Sequence, residues 1–245
     1  MVGDGKQIVE ALARLRDRYP EPGALAVGSP FVVLLAVMFS ARTKDEQVLK
    51  LLPGFFREFP TPQILANADL SVIEARLSTI GMFRQKAKNA KALALMLVHD
   101  FGGGVPGTLA ELIRLPGVGR KTASVVLTTV FAQPAVAVDV HVARIVTRLG
   151  WSKAITPEAI EQDLLAIVPE ELQATVNETM VPFGREICTA RSPSCFACPV
   201  VDLCAYSQKN LLSTTKAQQS LARAHEVRKA LVHLVDETAE QLRNI

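Results

Sequence analysis

The sequence predicts an all-α protein, and three observations carry that prediction. Apolar residues recur at helical spacing along most of the chain, between clear capping and breaking signals. One stretch alone, in which Val136, Val138, Val140 and Val142 alternate with Ala137, Asp139 and His141, has the period of a half-buried strand. With 245 residues, 49% of them hydrophobic, the chain has apolar content for one large core or two modest ones.

Taken in order, Ile8, Leu12 and Leu15 share one face of a first helix, stopped by Pro20, Pro22 and Gly23. Ser29-Pro30 is a cap with proline at the first helical position, opening a helix apolar on nearly every side. A polar break from Ser40 to Asp45 precedes a helix carrying Val48, Leu51 and Leu52. Ser71 with Glu74 and Thr108 with Glu111 read as capping boxes. The alternating valines go to loop then helix. Asp139 is a good N-cap, and Val142, Ile145, Val146 and Leu149 continue at helical spacing to Gly150, a C-terminal cap. Thr156-Pro157 starts another helix. Ser207 to Ser220 reads as a linker into a last amphipathic helix of about 22 residues, with Leu221, Val227, Leu231, Leu234 and Val235 on its apolar side. There is no internal repeat and no low-complexity tract.

Composition excludes little beyond a membrane span. The longest apolar run, Phe31 to Phe39, is nine residues, against the roughly 20 that cross a bilayer. The N-terminus has no apolar signal core, so the expected location is cytoplasmic. A net charge of +3 permits a polyanionic partner without demanding one.

The four cysteines are the most informative feature. All lie within seventeen residues, as Cys188-x6-Cys195-x2-Cys198-x5-Cys204. Four thiolates from one short loop can wrap a single inorganic centre, and a cubane iron–sulfur cluster takes four. Zinc also accepts four, usually as two C-x2-C knuckles; here there is one such pair. The spacing therefore ranks an iron–sulfur cluster first, zinc second and two disulfides third.

The second informative segment is LPGVGRKTA, Leu115 to Ala123. A helix from about Thr108 must stop at Pro116, Gly117 and Gly119 admit backbone conformations closed to other residues, and a new helix starts near Arg120. Such a turn suits a phosphate, because orphan N–H groups and the helix dipole both favour an anion. An ordinary interhelical turn fits the isolated pattern equally well.

LPGVGRKTA is similar to the helix-hairpin-helix signature of base-excision DNA glycosylases, and VAVDVHVARI (Val136 to Ile145) resembles the segment holding their catalytic aspartate. With the cysteine array, and with SARTKDE (Ser40 to Glu46), IGMFRQKAKN (Ile80 to Asn89) and FGREIC (Phe183 to Cys188), the chain resembles the endonuclease III family from about Phe31 to Tyr206. The resemblance implies two helical domains with the active-site cleft between them. They are a helical barrel over 24–134 with the helix-hairpin-helix, and a discontinuous iron–sulfur domain of 1–23 plus 135–206. Residues 207–245 are then a linker and helical extension. It implies a [4Fe-4S] cofactor on Cys188, Cys195, Cys198 and Cys204. It also implies a monomeric, nucleoid-associated enzyme acting on double-stranded DNA with damaged bases or abasic sites.

The implied activity is a DNA glycosylase with abasic-site β-lyase action on oxidised pyrimidines. Lys121 stands where the family carries its nucleophile. In the first turn of a helix, partial positive charge disfavours a protonated ammonium and leaves more free amine to attack the anomeric carbon. Asp139 stands where the family carries its carboxylate, which would stabilise positive charge on the sugar while also capping its helix. By resemblance, Arg42, Met82 and His141 fill the gap left by the extruded nucleotide. The family's best-known pattern has glutamine near Arg42 and leucine at Met82. Phosphate contacts are expected from Gly117, Gly119, Arg120, Lys44 and Arg191, with Arg84, Lys86, Lys88 and Arg185 as further candidates. The rival readings are a monofunctional mismatch glycosylase and a non-catalytic helix-hairpin-helix DNA-binding module. The adenine-specific mismatch enzymes lack lysine at position 121, and a carboxylate at 139 costs a plain phosphate binder affinity.

Overall fold

Helix α2 (Pro30–Ser40) is buried at every position from Phe31 to Phe39, because its sequence offers no polar face to water. Ser29, in an extended conformation, accepts a hydrogen bond from the Val32 amide, and Pro30 opens the first turn. In the computed structural model, residues 5–21 and 23–245 are described; Pro22, one of the expected stops after the first helix, lies outside them. The chain divides into two compact units, one formed by the chain up to Gly23 with Pro134–Ala230, the other by Ala24–Gln133 with Leu231–Ile245.

In the second unit α3 (Asp45–Glu58), α6 (Phe83–Phe101) and α8 (Arg120–Phe131) pack on α2, α4 (Pro62–Asn67) and α5 (Leu70–Leu77) pack on α6, and α7 (Leu109–Leu112) packs on α8. Phenylalanines lock α2 to α3 edge to face, Phe31 on Phe56 at 5.8 Å and Phe39 on Phe55 at 5.3 Å. On α3 the buried face is Val48, Leu49 and Leu52, with Leu51 only half-buried. The expected capping box at Ser71 does not form. α5 starts at Leu70 behind Asp69, so Ser71 is already inside the helix. Thr108 does cap α7, accepting from the Glu111 amide and donating to the Glu111 carboxylate at 2.6 Å.

The first unit holds α1 (Gly5–Arg18), α9 (Val140–Leu149), α10 (Pro157–Ile167), α11 (Gln173–Glu186), the cysteine segment and the start of α12 (Thr215–Arg243). Ile8, Leu12 and Leu15 of α1 join Val142, Ile145 and Phe183 in its core. Arg14 ties α1 to the cysteine segment, donating to Asp202 at 2.8 Å and to the Pro199 carbonyl at 3.1 Å. No strand occurs among the described residues. Val136 and Val138 are buried as a loop, and Asn177 donates to the Ala137 carbonyl at 3.0 Å.

The last helix is longer than its sequence suggests, 29 residues against about 22, because Thr215 to Ser220 are helical instead of linker. Val227, expected on its apolar side, is 66% exposed. The helix holds the first unit through Leu221, which packs against that unit's core, and through ionic contacts. The Glu186 carboxylate, 1% exposed, meets Arg18 at 2.7 Å, Arg228 at 3.1 Å and His225 at 3.4 Å. Arg228 also lies 2.9 Å from both oxygens of Glu21 and over the Tyr19 ring.

Candidate active site and metal centre

Leu115, Pro116, Gly117 and Val118 form a turn closed by the Val118 amide on the Leu115 carbonyl at 3.0 Å. Proline second and a left-handed Gly117 (φ 81°) third is the pattern of a type II turn. A Cβ on Gly117 would sit 2.7 Å from Asn89 Nδ2 and 2.9 Å from Met38 Sδ, so only glycine lets the turn seat against α6 and α2. Gly119 differs from expectation. Its backbone is extended (φ −90°, ψ 174°), a conformation open to any residue; its role is to cap α8 without a side chain. The first amides of α8 therefore receive no cap side chain, as at a helix end that suits an anion. Arg120 and Lys121 occupy the first two positions of α8, both exposed.

Asp139 is the N-cap of α9. One carboxylate oxygen, Oδ1, accepts from the His141 amide at 2.8 Å and the Val142 amide at 2.9 Å. These bonds fix the carboxylate in one position at the half-buried end of the valine loop. His141 Nδ1 lies 3.1 Å from Arg144 Nη2. A guanidinium only donates, so Nδ1 accepts and the ring hydrogen sits on Nε2. Arg144 then reaches the carbonyls of Gly184 and Cys188, each at 3.0 Å. Burial lowers the pKa of Arg144 from its ordinary value. Gly184 is required here, since a Cβ would lie 2.7 Å from His141 Nδ1.

One turn on, Arg148 donates to Cys188 Sγ at 3.2 Å and to the carbonyls of Thr189 and Ala190 at 2.8 and 2.9 Å, with its guanidinium over Tyr206. Arg144 and Arg148 thus fasten the helix behind Asp139 to the loop behind Cys188. The sequence reading missed both. Their signal was present: two arginines four apart on the helix that Asp139 starts, facing inward.

None of the four cysteines is paired in a disulfide; all are half-buried and line one cavity. Among the described residues no three His, Cys, Asp or Glu side chains gather to hold a single ion. Four sulfurs spread round a cavity suit a polynuclear centre, in which each iron takes one thiolate. Burial, with the neighbouring thiols adding, pushes Cys198 up to about 12 and raises Cys204. Bound iron reverses that preference by supplying positive charge.

Arg42, Lys44, Met82, Gly117, Gly119, Arg120 and Lys121 belong to the unit of Ala24–Gln133, and Asp139, His141, Arg191 and the cysteines to the other. Arg42 and Met82 are exposed, both with left-handed backbones (φ 55° and 59°). Their turns touch, because a Cβ on Gly81 would be 3.4 Å from the Arg42 carbonyl. Lys44, Arg84, Lys88, Arg185 and Arg191 are exposed. Lys86 is not. It is 5% exposed, and its amine is spent on the protein, which removes it from the phosphate candidates. The extended lysine-rich look of the α6 start concealed this.

Comparison with known proteins shows the family. Residues 35–170 match the HhH-GPD superfamily of base excision DNA repair proteins, and 188–204 match the iron-sulfur binding domain of endonuclease III. The chain is 41% identical to endonuclease III of Thermotoga maritima over 82% of this chain and 94% of that protein. It is 38% identical to endonuclease III of Bacillus subtilis over 83% and 94%. It superposes with a TM-score of 0.77 on a structure described as a trapped endonuclease III–DNA covalent intermediate with an estranged adenine, at 37% identity over 82% of this chain and 95% of that one. The cofactor is accordingly a [4Fe-4S] cluster. The family-model match over residues 35–170 and the relatives of up to 41% identity place the chain in the endonuclease III family of base-excision DNA repair enzymes.

Proposed function

We propose that the protein is a monomeric, bifunctional DNA glycosylase and abasic-site lyase that removes oxidised pyrimidines of the thymine glycol type from duplex DNA. Lys121 carries this reading: an exposed amine in the first turn of α8, directly behind the glycine turn. A phosphate held at that turn would bring the adjoining sugar to the amine. The amine attacks C1′, a carbon–nitrogen bond forms as the glycosidic bond breaks, and the base leaves with a proton. The sugar ring opens to a Schiff base on Lys121. Loss of a proton from C2′ then expels the 3′ phosphate, and water releases the enzyme.

Asp139 acts on the same nucleotide. Its fixed carboxylate opposes the positive charge that develops on the sugar as the base departs. Two amides already orient it, so no reorganisation is needed in the transition state. Arg42, Met82 and His141 fill the gap in the duplex, and Lys44, Arg120, Arg191 and the Gly117–Gly119 amides hold phosphates. Cys188, Cys195, Cys198 and Cys204 ligate the cluster, which when bound supplies a rigid staple for the loop carrying Arg191. Arg148 reinforces that loop through its carbonyls.

Borohydride trapping on a duplex carrying one abasic site, and then thymine glycol, tests the reading. Wild type is expected to give a covalent adduct and Lys121→Ala none. Asp139→Asn is expected to slow base release at least a hundredfold while shifting DNA affinity far less. An adduct that survives Lys121→Ala moves the nucleophile elsewhere. Absence of an adduct from cluster-loaded wild type removes the lyase step.

A further inference from the structure

Lys86 is a buried charge that the proposed chemistry leaves unused. It follows Met82, the N-cap of α6, by four residues and precedes Asn89 by three, so Lys86 and Asn89 lie on one face of α6. Its Nζ donates to the Phe39 carbonyl and to Thr43 Oγ1, each at 2.7 Å. Phe39 is in the last turn of α2, where a helix leaves carbonyls unbonded, and Thr43 directly follows Arg42. The amine therefore ties down the chain on both sides of Arg42. The backbone amide of the same residue donates to the Met82 carbonyl at 3.0 Å.

Arg42 and Met82 are two of three non-glycine residues with positive φ among the described residues. Such conformations persist only where their surroundings over-determine them, and they cluster at functional sites. Burial lowers the pKa of Lys86 to about 8, a cost an exposed lysine would not carry. The contacts show what that cost maintains.

We infer that Lys86 is a positioning residue that clamps the Arg42 and Met82 turns into one rigid gap-filling device. The inference rests on the proposed function, since the gap exists only when a nucleotide is extruded. Lys86 itself touches no DNA.

The test compares holoenzymes on two duplexes, one undamaged and one carrying a tetrahydrofuran abasic analogue opposite 2-aminopurine. Wild type should prefer the analogue duplex and change the fluorescence of the estranged 2-aminopurine. Lys86→Met keeps the stem and removes the amine. It should lose about tenfold in affinity for the analogue duplex alone, and leave the fluorescence at its free-duplex level. In an Arg42→Ala/Met82→Ala background it should add nothing. Equal losses on both duplexes, unchanged discrimination or full additivity would each overturn the clamp. A wild type without preference for the analogue duplex would sink the functional reading itself, a separate failure. If Lys86→Met does not accumulate as holoenzyme, Thr43→Val removes one acceptor, keeps the shape and carries the same expectations.

Discussion

The local settings of Lys121 and Asp139 were legible because each sits in a sequence pattern, a glycine turn before a helix and a cap after a loop. Lys86 was not, because its acceptors lie 43 and 47 residues away. In sequence it is one of several lysines and arginines in an ordinary helical start. Its burial has a pH signature. The folded state holds its pKa near 8, below the usual 10.5, so between those values the unfolded chain binds more protons than the folded one. Stability then rises with pH across that window, as the penalty for burying the charged form is relieved. Melting of wild type against Lys86→Met from pH 7 to pH 10.5 should show wild type gaining relative to the variant. A constant difference would mean that the amine titrates normally.

Helices were read well wherever a cap and an apolar stripe agreed, as at Ser29, Thr108, Asp139 and Thr156. They were read poorly where tertiary contact decides. α12 shows this, since its attachment depends on Arg228 meeting Glu21, Tyr19 and Glu186, residues far off in sequence. A carboxylate as buried as Glu186 needs its cations, and removing one partner from a buried pair is costly. Arg18 would remain, so Arg228→Ala should lower stability by about 2 kcal/mol. Denaturant unfolding of the holoenzyme measures this, with Arg228→Lys recovering only part because a point charge cannot serve two carboxylates as a guanidinium does. A variant as stable as wild type would show that α12 merely rests on the surface.

For the whole molecule, periodicity could not reveal that residues up to Gly23 belong with Pro134–Ala230, or that α12 divides between the units. Sequence-distant packing is invisible to local patterns, and only resemblance to a known family led to a discontinuous arrangement. Charge is equally uninformative in bulk: +3 overall is weak, so any DNA affinity must come from where cations stand. If Lys44, Arg120 and Arg191 each neutralise one phosphate, the logarithm of affinity should fall against the logarithm of salt with a slope of about −2.7. Fluorescence anisotropy on an undamaged duplex over a range of salt concentrations gives the slope, and Arg191→Ala should make it shallower by about 1. A flat response would remove the phosphate surface altogether.

Met82 at the N-cap of α6 and Lys86 and Asn89 within it carry in turn the exposed apolar tip, the amine on the Arg42 loop and the amide against Gly117. Under the proposed function, the distance from the gap-filling Met82 to the phosphate-holding Gly117 turn is thus set by counting residues. Substitution at Met82 changes what the tip is made of. Insertion or deletion of a single residue between 82 and 89 turns one end against the other by about 100° and shifts it about 1.5 Å. The helix is therefore tolerant in composition and intolerant in length. Under the proposed function, exchanging the side chain at Met82 should change what fills the gap, whereas its spacing to the Gly117 turn is a fixed register.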